Sequence, residues 1–157
     1  MGMYCEVSAA SRDDLARFSA DMLQDGLLTN ASPDCRVSLE KAWHGLHYLL
    51  TGEVWGGDGP LAFLLAGGEN LGDDESPLRW FTPEETAQIH RALTRVSDDQ
   101  LWSRFDPDAM GEKDVYPGIW DEPEDDLKSE YMGYFHALKS VVAAAADAGQ
   151  GLLVSIG

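Results

Sequence analysis

The end of this chain constrains the rest most strongly. Leu127, Tyr131, Tyr134, Phe135, Leu138 and Val142 recur at helical spacing, run into an alanine stretch, and stop at Gly149. Leu152 to Ile156 follow at once as a short apolar strand. A helix with one apolar stripe and a strand joined directly to it both need a surface to pack on. The N-terminus supplies one. Met3, Cys5 and Val7 alternate with Tyr4, Glu6 and Ser8, the period of a strand with one buried side. The two terminal strands are therefore predicted to pair in a small sheet with several helices packed against it, an α+β fold. Sheet order stays open.

The middle of the chain reads as helices. Ser11 with Asp13 and Asp14 predicts an N-cap and a helix to about Leu23, with Leu15, Phe18 and Met22 facing inward. After a loop around Asn30 to Pro33, with Cys35 at a helix start, Leu39, Trp43, Leu46, His47 and Leu50 make one stripe ended by Gly52. The stretch G-E-V-W-G-G-D-G-P, residues 52–60, is a turn-rich loop, and Leu61 to Ala66 fits strand or helix equally. Thr82, Pro83 and Glu85 spell a capping box with proline at the first helical position, and Ser97 with Asp98 and Asp99 starts a further short helix. Residues 106–126 read as a solvated acidic loop pinned by Val115, Tyr116, Ile119 and Trp120. With 157 residues and no low-complexity stretch, the chain is predicted to form a single compact domain, 1–157.

Charge narrows the partners. The chain holds 28 acidic against 11 basic side chains, a formal charge of −17, and residues 98–130 carry 12 acids and 3 bases. Phosphate backbones and anionic lipid surfaces are repelled within a Debye length of about 8 Å, so nucleic acid and membranes are excluded as partners. An apolar share of 44%, with five each of Trp, Tyr and Phe, gives enough burial for a folded core. Cys5 and Cys35 lack metal-type spacing and the density of a disulfide scaffold, so both are expected as reduced thiols. There is no basic, apolar leader and no run of 18 apolar residues, and the expectation is a cytoplasmic protein.

Motifs for chemistry are weak. Glu40, His44 and His47, as E-x-x-x-H-x-x-H, could line one helix edge as metal ligands, but His47 falls on the buried stripe, and the pattern is not the H-E-x-x-H of zinc hydrolases. A neutral, buried His47 bonded to backbone is the simpler reading. D-P-D-A-M-G-E-K-D, residues 106–114, echoes a calcium loop but has Met110 and Pro117 where ligands are required. Neither cysteine has a base nearby in sequence, no G-x-S-x-G elbow is present, and the glycine loops lack both phosphate-binding patterns. No cofactor is predicted.

The wording A-W-H-G-L-H-Y-L-L-T-G, after the M-G-M start, resembles the YfbM-like family, domain of unknown function 1877. P-L-A-F-L-L-A-G-G, F-T-P-E-E-T and V-Y-P-G-I-W are similar to its central segment, its helix start and its Tyr-Pro-x-x-Trp turn, in consistent order along nearly the whole chain. The resemblance implies an α+β domain and no established activity. The acidic segment from Asp121 to Asp126 is richer than the family pattern demands.

The functional expectation therefore rests on charge and aromatics. Trp55, Trp80, Tyr116 and Trp120 lie on or beside loops, as anchors for a partner or as plugs at the core edge. The leading reading is a non-enzymatic protein whose acidic face, made by Tyr116, Trp120, Asp121, Glu122, Glu124, Asp125 and Asp126, docks a basic protein. Its sharpest form is an immunity-type inhibitor of a cationic toxin. The alternative is a small metal-linked enzyme or sensor centred on Glu40, His44 and His47.

Overall fold

The two chain ends lie side by side. The computed structural model describes residues 3–17, 35–72 and 77–157. Strand β1, Cys5–Ala10, runs antiparallel to the last strand, Gly151–Ile156, paired from Cys5 with Ile156 to Ala10 with Gly151. Tyr4 and Gly157 extend the ladder by exchanging backbone hydrogen bonds of 2.9 and 3.0 Å. Helix α1, Arg12–Arg17, follows β1, and the predicted continuation to Leu23 and the loop at Asn30 to Pro33 lie outside the described residues.

Three more strands complete the sheet. These are β2, Arg36–Glu40; β3, Glu69–Asn70; and β4, Leu78–Phe81, which makes the C-terminal strand β5. The order is β2-β1-β5-β4-β3, and every pairing is antiparallel. Among the described residues the helices after α1 are α2, Trp43–Thr51; α3, Pro83–Thr94; α4, Asp98–Trp102; α5, Pro107–Glu112; and α6, Glu124–Asp147. This is the α+β arrangement that the terminal strands predicted.

The main core lies between one face of the sheet and the helices. Cys5, Val7, Ala9, Leu152 and Val154 meet Leu46, Leu49, Ile89, Leu93, Phe135 and Leu138 there. The other face has a smaller cluster of Ala10, Leu78, Trp80 and Leu153, backed by Leu15 and Leu71. The expectation that β1 buries one side is thus corrected: it is an inner strand, and Ser8 and Ala10 are buried as well. Among the described residues no helix is long and apolar enough to cross a membrane.

Local signals placed most helix ends. In the capping box of α3, Thr82 Oγ1 accepts from the Glu85 N–H at 3.1 Å while Glu85 Oε1 accepts from the Thr82 N–H at 3.0 Å. Ser97 and Gln100 repeat the exchange at α4, at 3.1 and 2.9 Å. Gly52 ends α2 with φ 78°, its N–H donating to the Tyr48 carbonyl at 2.7 Å.

Other expectations need correction. Leu39 belongs to β2, not to the second helix, and Cys35 precedes that strand: pairing with β1 overrides the helical spacing of Leu39 and Trp43. Trp80 stands on β4 rather than a loop, and Leu61 to Ala66 form a short 3₁₀ turn and bends. The acidic loop contains a helix, α5, whose start is capped by Asp106 Oδ1 accepting from the Ala109 N–H at 3.1 Å, with Pro107 at the first helical position.

Candidate docking surface

Helix α2 is buried all round, from Trp43 to Leu50. Sequence spacing put His44 off the apolar stripe, yet it is only 1% exposed. Loops from either side of α2 cover it. The Tyr116 N–H donates to His44 Nδ1 at 2.9 Å, so that nitrogen carries no proton, and Nε2 must donate to the Val54 carbonyl at 2.7 Å. His44 is therefore a neutral staple between two loops. Burial holds its pKa below the ordinary histidine value, with the Val54 carbonyl acting in the opposite direction.

Around it runs an aromatic series. The Trp55 ring lies 4.3 Å from His44, His44 lies 5.2 Å from Trp43, and Trp43 lies 5.5 Å from Tyr116. The N-terminal segment is tied in as well: Trp43 Nε1–H donates to the Met3 carbonyl and the Met3 N–H donates to the Tyr116 hydroxyl, both at 3.0 Å.

Glu40, His44 and His47 do not converge in this arrangement. Both His44 ring nitrogens are used by backbone groups, and Glu40 is exposed at the end of β2, in a groove with Glu130 and Tyr134. Among the described residues no group of three His, Cys, Asp or Glu side chains converges to hold a metal ion. His47 is fully buried, and neither ring nitrogen meets full hydrogen-bond geometry, although the Gly56 backbone lies near enough to act on the ring. Burial, then the neighbouring His44, push its pKa down to about 4, with the Gly56 backbone opposing the drop. Cys5 is no nucleophile either, since burial raises its thiol to about 12.

The turn from Val115 to Trp120 packs onto α2. Trp120 is 5% exposed, and its Nε1–H donates to the Val115 carbonyl at 2.7 Å, closing the turn. Its ring fills the space over Gly45, where an added Cβ would stand 2.7 Å from Trp120 Cη2 and 2.8 Å from Tyr131 Cε2. Trp120 is thus largely a plug, with a glycine beneath it permitting the close approach, and its remaining surface lines the groove outside the turn. Tyr116 is half-buried.

Outside this turn lies an open groove of about 710 Å³. Asp108, Glu112, Asp114 and Asp121 line it, with Tyr116 and Pro117, and no basic side chain is among its lining residues. Of the predicted acids only Asp121 reaches this groove. Glu122 is exposed outside it, and Glu124, Asp125 and Asp126 form the first turn of α6, where unpaired helix N–H groups favour anions. Glu124 also accepts from Trp102 Nε1–H at 3.2 Å. Sequence reading took Asp108, Glu112 and Asp114 together only as a calcium-loop echo and not as part of the docking face; the Asp106-Pro107 cap and start of α5 was the signal that would have placed them on one short helix and its end.

Three basic side chains turn to carbonyls and rings. Arg79 Nη1 donates to the Ala66 carbonyl at 2.7 Å, and its Nη2 to that of Leu64. Arg104 Nη1 donates to the Leu49 carbonyl at 3.0 Å, at the end of α2, while Lys113 lies over the Tyr48 ring at 5.4 Å. Among the described residues the large exposed hydrophobics are Met3, Tyr4 and Trp55, 43%, 44% and 63% exposed, and Met3 and Trp55 both contact Trp43.

The family model described as Domain of unknown function (DUF1877) matches residues 1–155. The chain belongs to this family. Among solved structures, the crystal structure of YfbM from Escherichia coli, a protein of unknown function, is similar with a TM-score of 0.78 at 22% identity, over 98% of this chain and 99% of that chain. That likeness extends to the fold. No curated protein matches the chain. In this member of the DUF1877 family, W-H-G-L-H and V-Y-P-G-I-W, two of the stretches that carried the resemblance, meet in space: His44 accepts from Tyr116, and Gly45 lies under Trp120.

Proposed function

We propose that this protein is a non-catalytic docking protein whose partner is basic, with the groove between α5 and the Val115–Trp120 turn as the primary contact. The observation that carries this reading is a groove of about 710 Å³ lined by four carboxylates and no cation. Met3 and Trp55, both exposed and in contact with Trp43, which stacks on the groove residue Tyr116, add apolar area. Apolar area with a charged border is the anatomy of a specific interface, and the carboxylates select the sign of the partner. The sharpest form of the reading is an immunity-type inhibitor that covers a cationic toxin.

Association of the protein with a synthetic Arg/Lys-rich peptide, followed at low and high salt, tests the assignment. A quadruple variant D108N/E112Q/D114N/D121N is expected to bind about tenfold more slowly at low salt. A charge-matched control, E53Q/D58N/E69Q/D147N, removes the same charge from exposed sites outside the groove and retains most of the rate. Equal losses in the two variants overturn the assignment, because attraction would then follow net charge alone.

A further inference from the structure

A second groove lies across the same turn, of about 580 Å³, and shares Pro117 with the first. Tyr4, Glu40, Lys41, Glu130 and Tyr134 line it, with the buried Tyr131 behind them. Burial first, and then Glu130 and Glu40, hold the Tyr134 hydroxyl above the ordinary tyrosine pKa, so negative charge from β2 and from α6 converges on one phenol. Among the described residues neither glutamate has an ion-pair partner within 4 Å. One cation is already at the aromatic wall: Lys41 Nζ lies 5.8 Å from the centre of the Tyr4 ring, within reach of a cation–π attraction.

We propose that this groove receives an arginine side chain of the basic partner, its guanidinium set against the tyrosine rings and the carboxylates of Glu40 and Glu130. The inference rests on the docking reading and adds a second contact to it. A guanidinium fits this lining better than an ammonium does. It is planar and weakly hydrated, stacks on aromatic faces, and presents a fork of donors that a carboxylate accepts in pairs. Lys41 is then a resident competitor, holding the Tyr4 face until the partner displaces it. Because Pro117 walls both grooves, a single basic segment crossing the turn would place charges in each.

The test is an NMR titration of the full chain with N-acetyl-arginine amide, and with N-acetyl-lysine amide for comparison. The arginine derivative is expected to shift the backbone resonances of Tyr4, Lys41, Glu130 and Tyr134 in a saturable way, more tightly than the lysine derivative. E40Q/E130Q is expected to weaken this about tenfold, and K41A to tighten it about two- to fivefold by removing the competitor. Shifts that do not saturate, equal affinity for the two derivatives, or unchanged affinity in E40Q/E130Q each overturn the proposal. A companion titration with the Arg/Lys-rich peptide separates the two readings. Saturable arginine shifts together with silent resonances at Asp108, Glu112 and Asp114 would sink the primary groove and leave the arginine site standing, and the reverse result would sink the arginine site alone.

Discussion

At the scale of single residues, α2 holds two histidines of opposite character. His44 is satisfied at both nitrogens, whereas His47, one turn on, is enclosed with neither satisfied. A buried polar group without a partner costs about 1–3 kcal/mol. Replacing His47→Leu, which fills similar space with apolar atoms, is therefore expected to hold or raise stability at pH 7. It should also flatten the acid limb. In the unfolded chain His47 titrates near its ordinary 6.5, and in the fold near 4, so between those values the unfolded state carries a proton that the folded state lacks. Stability is complete above pH 6.5 and falls as the pH drops toward 4, by on the order of 3 kcal/mol from this residue. His44 is shifted in the same direction and acts in the same sense. Urea denaturation from pH 7.5 to 4.5 reads both effects, and a wild-type curve that rises with acid would contradict them. Gly45→Ala tests the packing beside these rings. Its Cβ would meet Trp120 and Tyr131 below 3 Å, and overpacking of this kind costs about 1–3 kcal/mol, visible as a lower urea midpoint.

At the scale of elements, legibility followed the range of the interaction. The starts of α3 and α4 were readable because a capping box is made by residues three apart, whatever the rest of the chain does. Thr82→Ala is accordingly expected to cost about 1 kcal/mol, measured as a drop in thermal midpoint, with Thr82→Ser nearly silent. The same grammar stood at Asp106-Pro107 and went unread, because the acids around it suggested a solvated loop. β2 and β4 were not legible for a different reason. Four or five residues hold too little periodicity, and what makes Arg36–Glu40 a strand is the free edge of β1, while Leu78–Phe81 needs the edge of β5. Trp80 and Trp120 illustrate the consequence: both looked like loop aromatics, and both are held inside by elements distant in sequence or by the fold of their own turn. Trp55 kept its exposed place.

At the scale of the whole molecule, β5 is the middle strand of five, between β1 and β4, although it is the last element of the chain. Removing residues 151–157 should therefore abolish the cooperative unfolding transition; a truncated chain that still melted sharply would show that the β1–β5 pairing is dispensable. The charge of −17 also belongs to this scale, and it predicts that binding of a basic partner weakens steeply with salt, since exposed charges are screened over about 8 Å at physiological ionic strength. The sequence by itself determined the fold class, the pairing of the termini, the capped helices and the net negative charge, because each follows from residue spacing or from summed charge, which no packing changes. Only the tertiary structure decided which acids share a groove, that Trp120 is buried while Tyr4 stays open, and that His44 is spent as a staple rather than offered as a ligand. Those outcomes depend on residues tens of positions apart meeting at one place, and one-dimensional spacing carries no record of that distance.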